Sequence, residues 1–167
     1  AANCTLGCSF TVSGSAIRPS STYSLRLAAE NSLGPSLESE QVVLTTLAAV
    51  PDAVGSLLVT GVTQTSLTVS WSAPASNGQP LTMYRARACD AQSGTCTTAE
   101  LTTLPLATSV TVGSLPSGRN YTVSVEAWNN VGSSGSVNAS GTYTTLDAPA
   151  QIDATFLARS PASNDFF

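Results

Sequence analysis

The sequence predicts an all-β protein, an antiparallel sandwich used more than once along the chain. Three observations carry this. Apolar and polar residues alternate in short runs, as they do on half-buried strands. Clusters of Gly, Pro, Asn, Asp and Ser separate those runs at the spacing of an antiparallel sandwich. One phrase occurs twice, as "YSLRLAAENSLGPS" from Tyr23 to Ser36 and "YTVSVEAWNNVGSS" from Tyr121 to Ser134.

Taken in order, "SLTVSW" places Leu67, Val69 and Trp71 on one face and Thr68 and Ser70 on the other. "MYRARAC" (Met83–Cys89) and "SVTV" (Ser109–Val112) alternate in the same way. "YTVSVEA" turns Tyr121, Val123, Val125 and Ala127 inward. The turns between them are "SAPASNGQP", "DAQSGT", "LPSG" and "NNVGSSGS".

The repeat divides the chain. Tyr23, Ala29, Asn31, Gly34 and Ser36 correspond to Tyr121, Ala127, Asn129, Gly132 and Ser134, and "TTLAAVP" (Thr45–Pro51) corresponds to "TTLDAP" (Thr144–Pro149). A period of about a hundred residues is one whole sandwich rather than a small solenoid unit. We therefore expect residues 1–47 to form the back part of one copy and residues 48–146 a complete copy. Residues 147–167 are expected to supply the first strand of a following copy or a donor-type tail.

The complete copy resembles a fibronectin type III domain. It opens on Pro51 with Leu57 and Val59, continues through "LTVSWSAP" carrying Trp71, and has Tyr84 on its third strand. It closes on "LPSGRNYTVSVEAWNNVGSS", in which Leu115-Pro116, Tyr121, Ala127, Asn129 and Gly132 follow in that family's order. The resemblance implies an antiparallel Greek-key, immunoglobulin-like β-sandwich, in tandem. It also implies that Tyr23 and Tyr121 are structural corners, each ring anchoring a strand while its hydroxyl bonds nearby backbone. Ala127 keeps that strand close to the opposite sheet. Asn129 and Gly132 sit where the chain turns, and both tolerate positive φ. The loop "NNVGSSGS" lacks an RGD cell-attachment triplet, so integrin binding does not carry over.

Composition narrows the function. Ser and Thr supply 47 of 167 residues, Lys and His are absent, and the net charge is −4. Without basic runs there is no counterpart for nucleic acid or an anionic bilayer. No apolar run approaches the ~20 residues that span a bilayer, so no membrane insertion is expected in this segment. "AANCTLGCSF" lacks the basic start and apolar block of a secretory signal, and reads as a mature start or an arbitrary cut. The carboxylates are scattered singly through turns and exposed strand positions. With no His, no nucleophile elbow and no phosphate loop, no catalytic, cofactor or metal residue is expected.

Four cysteines fall in two close pairs, Cys4/Cys8 and Cys89/Cys96, neither at zinc-ribbon spacing. Structural disulfides imply an oxidising compartment. Cys89 and Cys96 flank a turn between neighbouring strands and are expected to bridge that hairpin. Cys4 pairs either with Cys8 or with a cysteine upstream of residue 1. Asn3, Asn120 and Asn138 head N-x-Ser/Thr triplets, and covalent N-glycans are expected there.

On the outer face, alternation gathers Trp128, Arg85 and Arg87, with Glu126 near enough to join them. An arginine ladder stacked on the indole is the expected arrangement. The alternative is an aromatic platform for a sugar or peptide. The chain thus reads as a non-enzymatic structural module of a secreted or cell-surface glycoprotein, a spacer or building block of an extracellular filament. Its expected partners are neighbouring copies or adjacent domains, head to tail. The alternatives are an adhesion or receptor module binding a protein or glycan, and an accessory spacer of a secreted polysaccharide hydrolase.

Overall fold

A computed structural model describes Ser9 and residues 11–149. Every regular element among them is a β-strand. In chain order these are β1 (Thr22–Leu25), β2 (Glu30–Asn31), β3 (Gly34–Pro35), β4 (Val42–Thr45), β5 (Gly55–Val62) and β6 (Leu67–Ser72), followed by β7 (Leu81–Asp90), β8 (Cys96–Leu101), β9 (Ser109–Val112), β10 (Asn120–Asn129), β11 (Val137–Asn138) and β12 (Tyr143–Thr144). Asn3, Cys4, Cys8 and residues 150–167 lie outside the described residues, as do the expectations that fall on them.

Strands β5 to β12 form two antiparallel sheets. One has the order β5-β6-β9; in the other β8-β7-β10 is extended by β11 and β12, which pair with successive parts of β10. The chain crosses between sheets after β6, β8 and β9, which is the Greek-key arrangement. The long strands are where alternation is cleanest. Leu67, Val69 and Trp71 of β6 face Tyr84, Ala86 and Ala88 of β7 and Tyr121, Val123, Val125 and Ala127 of β10. Trp71 and Tyr84 meet edge to face with ring centroids 5.1 Å apart, a geometry that aromatic quadrupoles favour. The alanines let the sheets close around these two rings.

Residues 11–47 hold only hairpins. β1 pairs with β4 and β2 with β3. In the second copy the β1–β4 pairing corresponds to β10 with β12, and the β2–β3 pairing to the bridge between Trp128 and Ser133. The apolar side chains of β1 and β4 have no facing sheet among the described residues, and Val42, Val43 and Leu44 are more than half exposed.

Candidate functional site

The repeated phrase folds the same way twice. Ser36 N–H donates to Ala29 O (2.7 Å), and Ser134 N–H to Ala127 O (2.8 Å). The two serine hydroxyls each accept from the alanine amide at 3.0 Å. Asn31 Oδ1 accepts from Leu33 N–H at 2.8 Å, and Asn129 Oδ1 from Val131 N–H at 2.9 Å. Asn129 stands at the turn into Gly132 without adopting positive φ; the residue is 5% exposed and its side-chain amide is bonded on both sides.

The two tyrosines reach the backbone before their strands. Tyr121 Oη donates to Pro116 O at 3.2 Å. Tyr23 Oη donates to Ala16 O at 3.2 Å and accepts from Arg18 N–H at 2.7 Å. Arg18 stands where the second copy has Pro116. Proline has no N–H, so only the first corner has that second bond. Burial pushes the Tyr121 phenol above its ordinary pKa, and the Asp90 carboxylate pushes it further.

On the outer face of the five-stranded sheet, β8, β7 and β10 bring Glu100, Arg85 and Glu126 into register. Arg85 Nε donates to Glu100 Oε1 at 2.7 Å and its Nη1 to Glu126 Oε1 at 3.2 Å. The Arg85 guanidinium carbon sits 5.2 Å from the centre of the Trp128 ring. Arg87 reaches Glu126 at 3.6 Å, and Ser133 Oγ donates to Glu126 Oε2 at 2.9 Å. The Glu100 bond raises the Arg85 pKa, burial opposes it, and Glu126 adds to the rise.

Two carboxylates depart from the expectation of exposed, scattered acids. Glu126 is 8% exposed and Asp90 7%. Glu126 faces outward, as alternation requires, but Arg85, Arg87 and Ser133 cover it. Asp90 closes the β7–β8 turn, its Oδ1 accepting from Gln92 N–H (2.7 Å) and Ser93 N–H (3.1 Å). Those two amides hold its carboxyl below the usual value, with Arg119 contributing less.

Cys89 and Cys96 stand opposite each other in the β7–β8 ladder and are joined by a disulfide. Asn120 and Asn138 are exposed on β10 and β11. Asn120 Oδ1 accepts from Thr144 Oγ1 at 2.5 Å. Among the described residues no group of three or more His, Cys, Asp or Glu is placed to hold a metal ion. No helix among them is long and apolar enough to cross a membrane.

A three-stranded sheet packed on a β8-β7-β10 sheet, with a tyrosine corner leading into β10, defines an immunoglobulin-like sandwich module. Residues 52–142 match the fibronectin type III domain family, and the chain belongs to it. Protein sidekick of Drosophila melanogaster is 49% identical over 67 residues, covering 39% of this chain and 3% of sidekick. The chain therefore spans a small fraction of that relative's length. Among solved structures, domains d3-d4 of the rat CD45 extracellular region superpose with a TM-score of 0.56 at 20% identity, over 81% of this chain and 69% of that one. Domains A168-A170 of titin do so with a TM-score of 0.54 at 23% identity, over 77% of this chain and 41% of that one. At these identities the likeness is one of fold. Both structures are pieces of multidomain chains.

Proposed function

We propose that this chain is a non-enzymatic spacer in a tandem array, part of a secreted or cell-surface glycoprotein, with adjacent domains as its standing partners. On this reading residues 1–47 are the back of one sandwich, 48–146 a complete second one, and 147–167 the first strand of a following copy or a donor-type tail. The observation that carries this reading is the continuous path from β4 into the complete sandwich. Only residues 46–54 separate the last strand of one copy from the first strand of the next.

The outer face supports a spacer over a binding platform. Arg85 is committed to two carboxylates and the Trp128 ring, and Glu126 to two arginines and a serine. A ligand would have to displace those partners. The Cys89–Cys96 bridge fits an oxidising compartment, and the CD45 pieces are by description extracellular. Glycans at Asn120 and Asn138 would keep so weakly charged a surface soluble.

Intact mass of native-source protein, before and after enzymatic removal of N-glycans, tests compartment and modification together. Loss of mass with conversion of Asn120 and Asn138 to Asp is the expected result. Bare asparagine at both positions would remove the glycoprotein reading.

A further inference from the structure

We propose that Asn77 and Asn129 form a clamp that fixes the angle between consecutive copies, so that this end of the complete sandwich is a docking surface for the closing end of the preceding copy. The inference rests on the tandem reading above and adds a stiff joint to it.

The linker is tied from both sides. The first copy holds its start, with Thr46 N–H donating to Ser21 O and Ser20 N–H to Leu47 O, each at 3.0 Å. The second copy holds its end, with Ala49 N–H donating to Asn77 O and Asp52 N–H to Ala75 O, each at 3.0 Å. Two side-chain amides then take the linker carbonyls. Asn77 Nδ2 donates to Val50 O at 2.8 Å and to Asp52 Oδ1 at 2.9 Å. Asn129 Nδ2 donates to Ala49 O at 2.8 Å and to Ser76 O at 3.0 Å. Between the last bond from the first copy, at Leu47, and the first from the second, at Ala49, stands Ala48 alone.

Rotation about that one residue is opposed by contact. Asn77 and Gly78 both have positive φ, at 54° and 94°, and lie between Ser76 and Gln79, which are joined by a backbone hydrogen bond. This is the turn geometry that favours an Asn-Gly pair. It brings Gly78 against the preceding copy. A Cβ at Gly78 would lie 2.2 Å from Ser20 Cβ and 3.3 Å from Ala48 Cβ. A second glycine, Gly132, lies against Val50, where an added Cβ would be 3.1 Å from Val50 Cγ1.

The closing end is built the same way in both copies. Thr145 N–H donates to Arg119 O and Gly118 N–H to Leu146 O, repeating the bonds of Thr46 and Ser20. The complete sandwich thus has a docking end for the copy before it and a closing end of the same design for the copy after.

Single-molecule energy transfer on residues 1–167 tests this at concentrations too low for association. Dyes replace the exposed Leu37 and Leu104, one in each copy; a control pair at Ser15 and Leu37 reports the first copy alone. Asn129→Asp removes the Nδ2 donor while keeping the Oδ1 acceptor that shapes the turn. Asn77→Asp sets a second carboxylate beside Asp52. We expect one narrow distance peak in the natural sequence, lost in both variants, while the control pair stays narrow. A natural-sequence peak already broad, or one that stays narrow in both variants, overturns the clamp alone. A broad control distribution overturns the clamp and the array reading together.

Discussion

Tyr121 sets its hydroxyl 3.2 Å from the carbonyl oxygen of Pro116, five residues earlier, with the ring buried between the sheets. The bond ties the start of β10 to the loop before it. Tyr121→Phe leaves the shape of the core intact and removes only this donor. We expect a loss of about 1 kcal/mol, the ordinary worth of such a bond, since the Pro116 carbonyl keeps the bond that Thr145 Oγ1 donates to it at 2.8 Å. Tyr23→Phe, at an exposed corner where water reaches the freed groups, should cost less. Chemical denaturation followed by fluorescence of the two variants measures both, and the reverse ranking would put the stronger corner in the first copy.

The Cys89–Cys96 bridge closes a short loop across the β7–β8 hairpin, at a sequence separation of 7. On the chain-entropy relation a loop this short is worth about 2.5 kcal/mol. The Cys89→Ser, Cys96→Ser double variant should therefore unfold at lower denaturant with its circular dichroism otherwise unchanged. Peptide mapping without reductant should recover the two cysteines in one linked pair. Linkage of Cys89 to Cys4 or Cys8 would contradict the β7–β8 register.

Asp90 makes part of the stability pH-dependent. Its carboxyl is held below the usual value by the Gln92 and Ser93 amides, so the folded state binds the proton less tightly than the unfolded chain. The stabilisation is therefore present above the unfolded value of about 3.9 and is lost as pH falls through the lower folded value. Asp90→Asn keeps an acceptor for both amides and removes the charge. We expect the acid limb of a stability-versus-pH curve to flatten in that variant, with less change near neutrality. An unchanged acid limb would show that other carboxylates carry it.

What the residues disclosed in advance follows from the range of each interaction. Strand alternation is local, so the inward sets of β6, β7 and β10 were legible from Leu67, Tyr84 and Val123 and their neighbours. The corner was legible because Tyr23 and Tyr121 recur in one phrase. Asn129 was legible only as a turn residue. Its bonds to Ala49 and Ser76 join loops 80 and 53 residues away, and nothing in a local window signals them. Glu126 was placed correctly on the outer face but read as exposed, since alternation gives a direction and says nothing of cover. Long arginine side chains from the neighbouring strand bury it. Asp90 ends a ten-residue strand, where the turn amides that shelter it come from the next four residues.

The first copy carries the last prediction. Its β1–β4 hairpin lines a cleft of about 350 Å³ with Val12, Ile17, Tyr23, Leu25 and Leu44. Tyr121 and Val123, the counterparts of Tyr23 and Leu25, are covered in the second copy by Leu67, Val69 and Trp71 of the three-stranded sheet. The same face in the first copy meets no such sheet among the described residues. Open apolar strands of this kind favour pairing with another chain. We expect purified residues 1–167 to associate at rising concentration, measured by light scattering, with amides of β1 and β4 gaining protection from hydrogen exchange as they do. Leu25→Ser with Leu44→Ser should abolish the association while leaving the complete sandwich folded, because neither side chain belongs to its core. A concentration-independent monomer whose β1 and β4 amides are already protected would mean that residues of this same chain cover the face, and the prediction would fail.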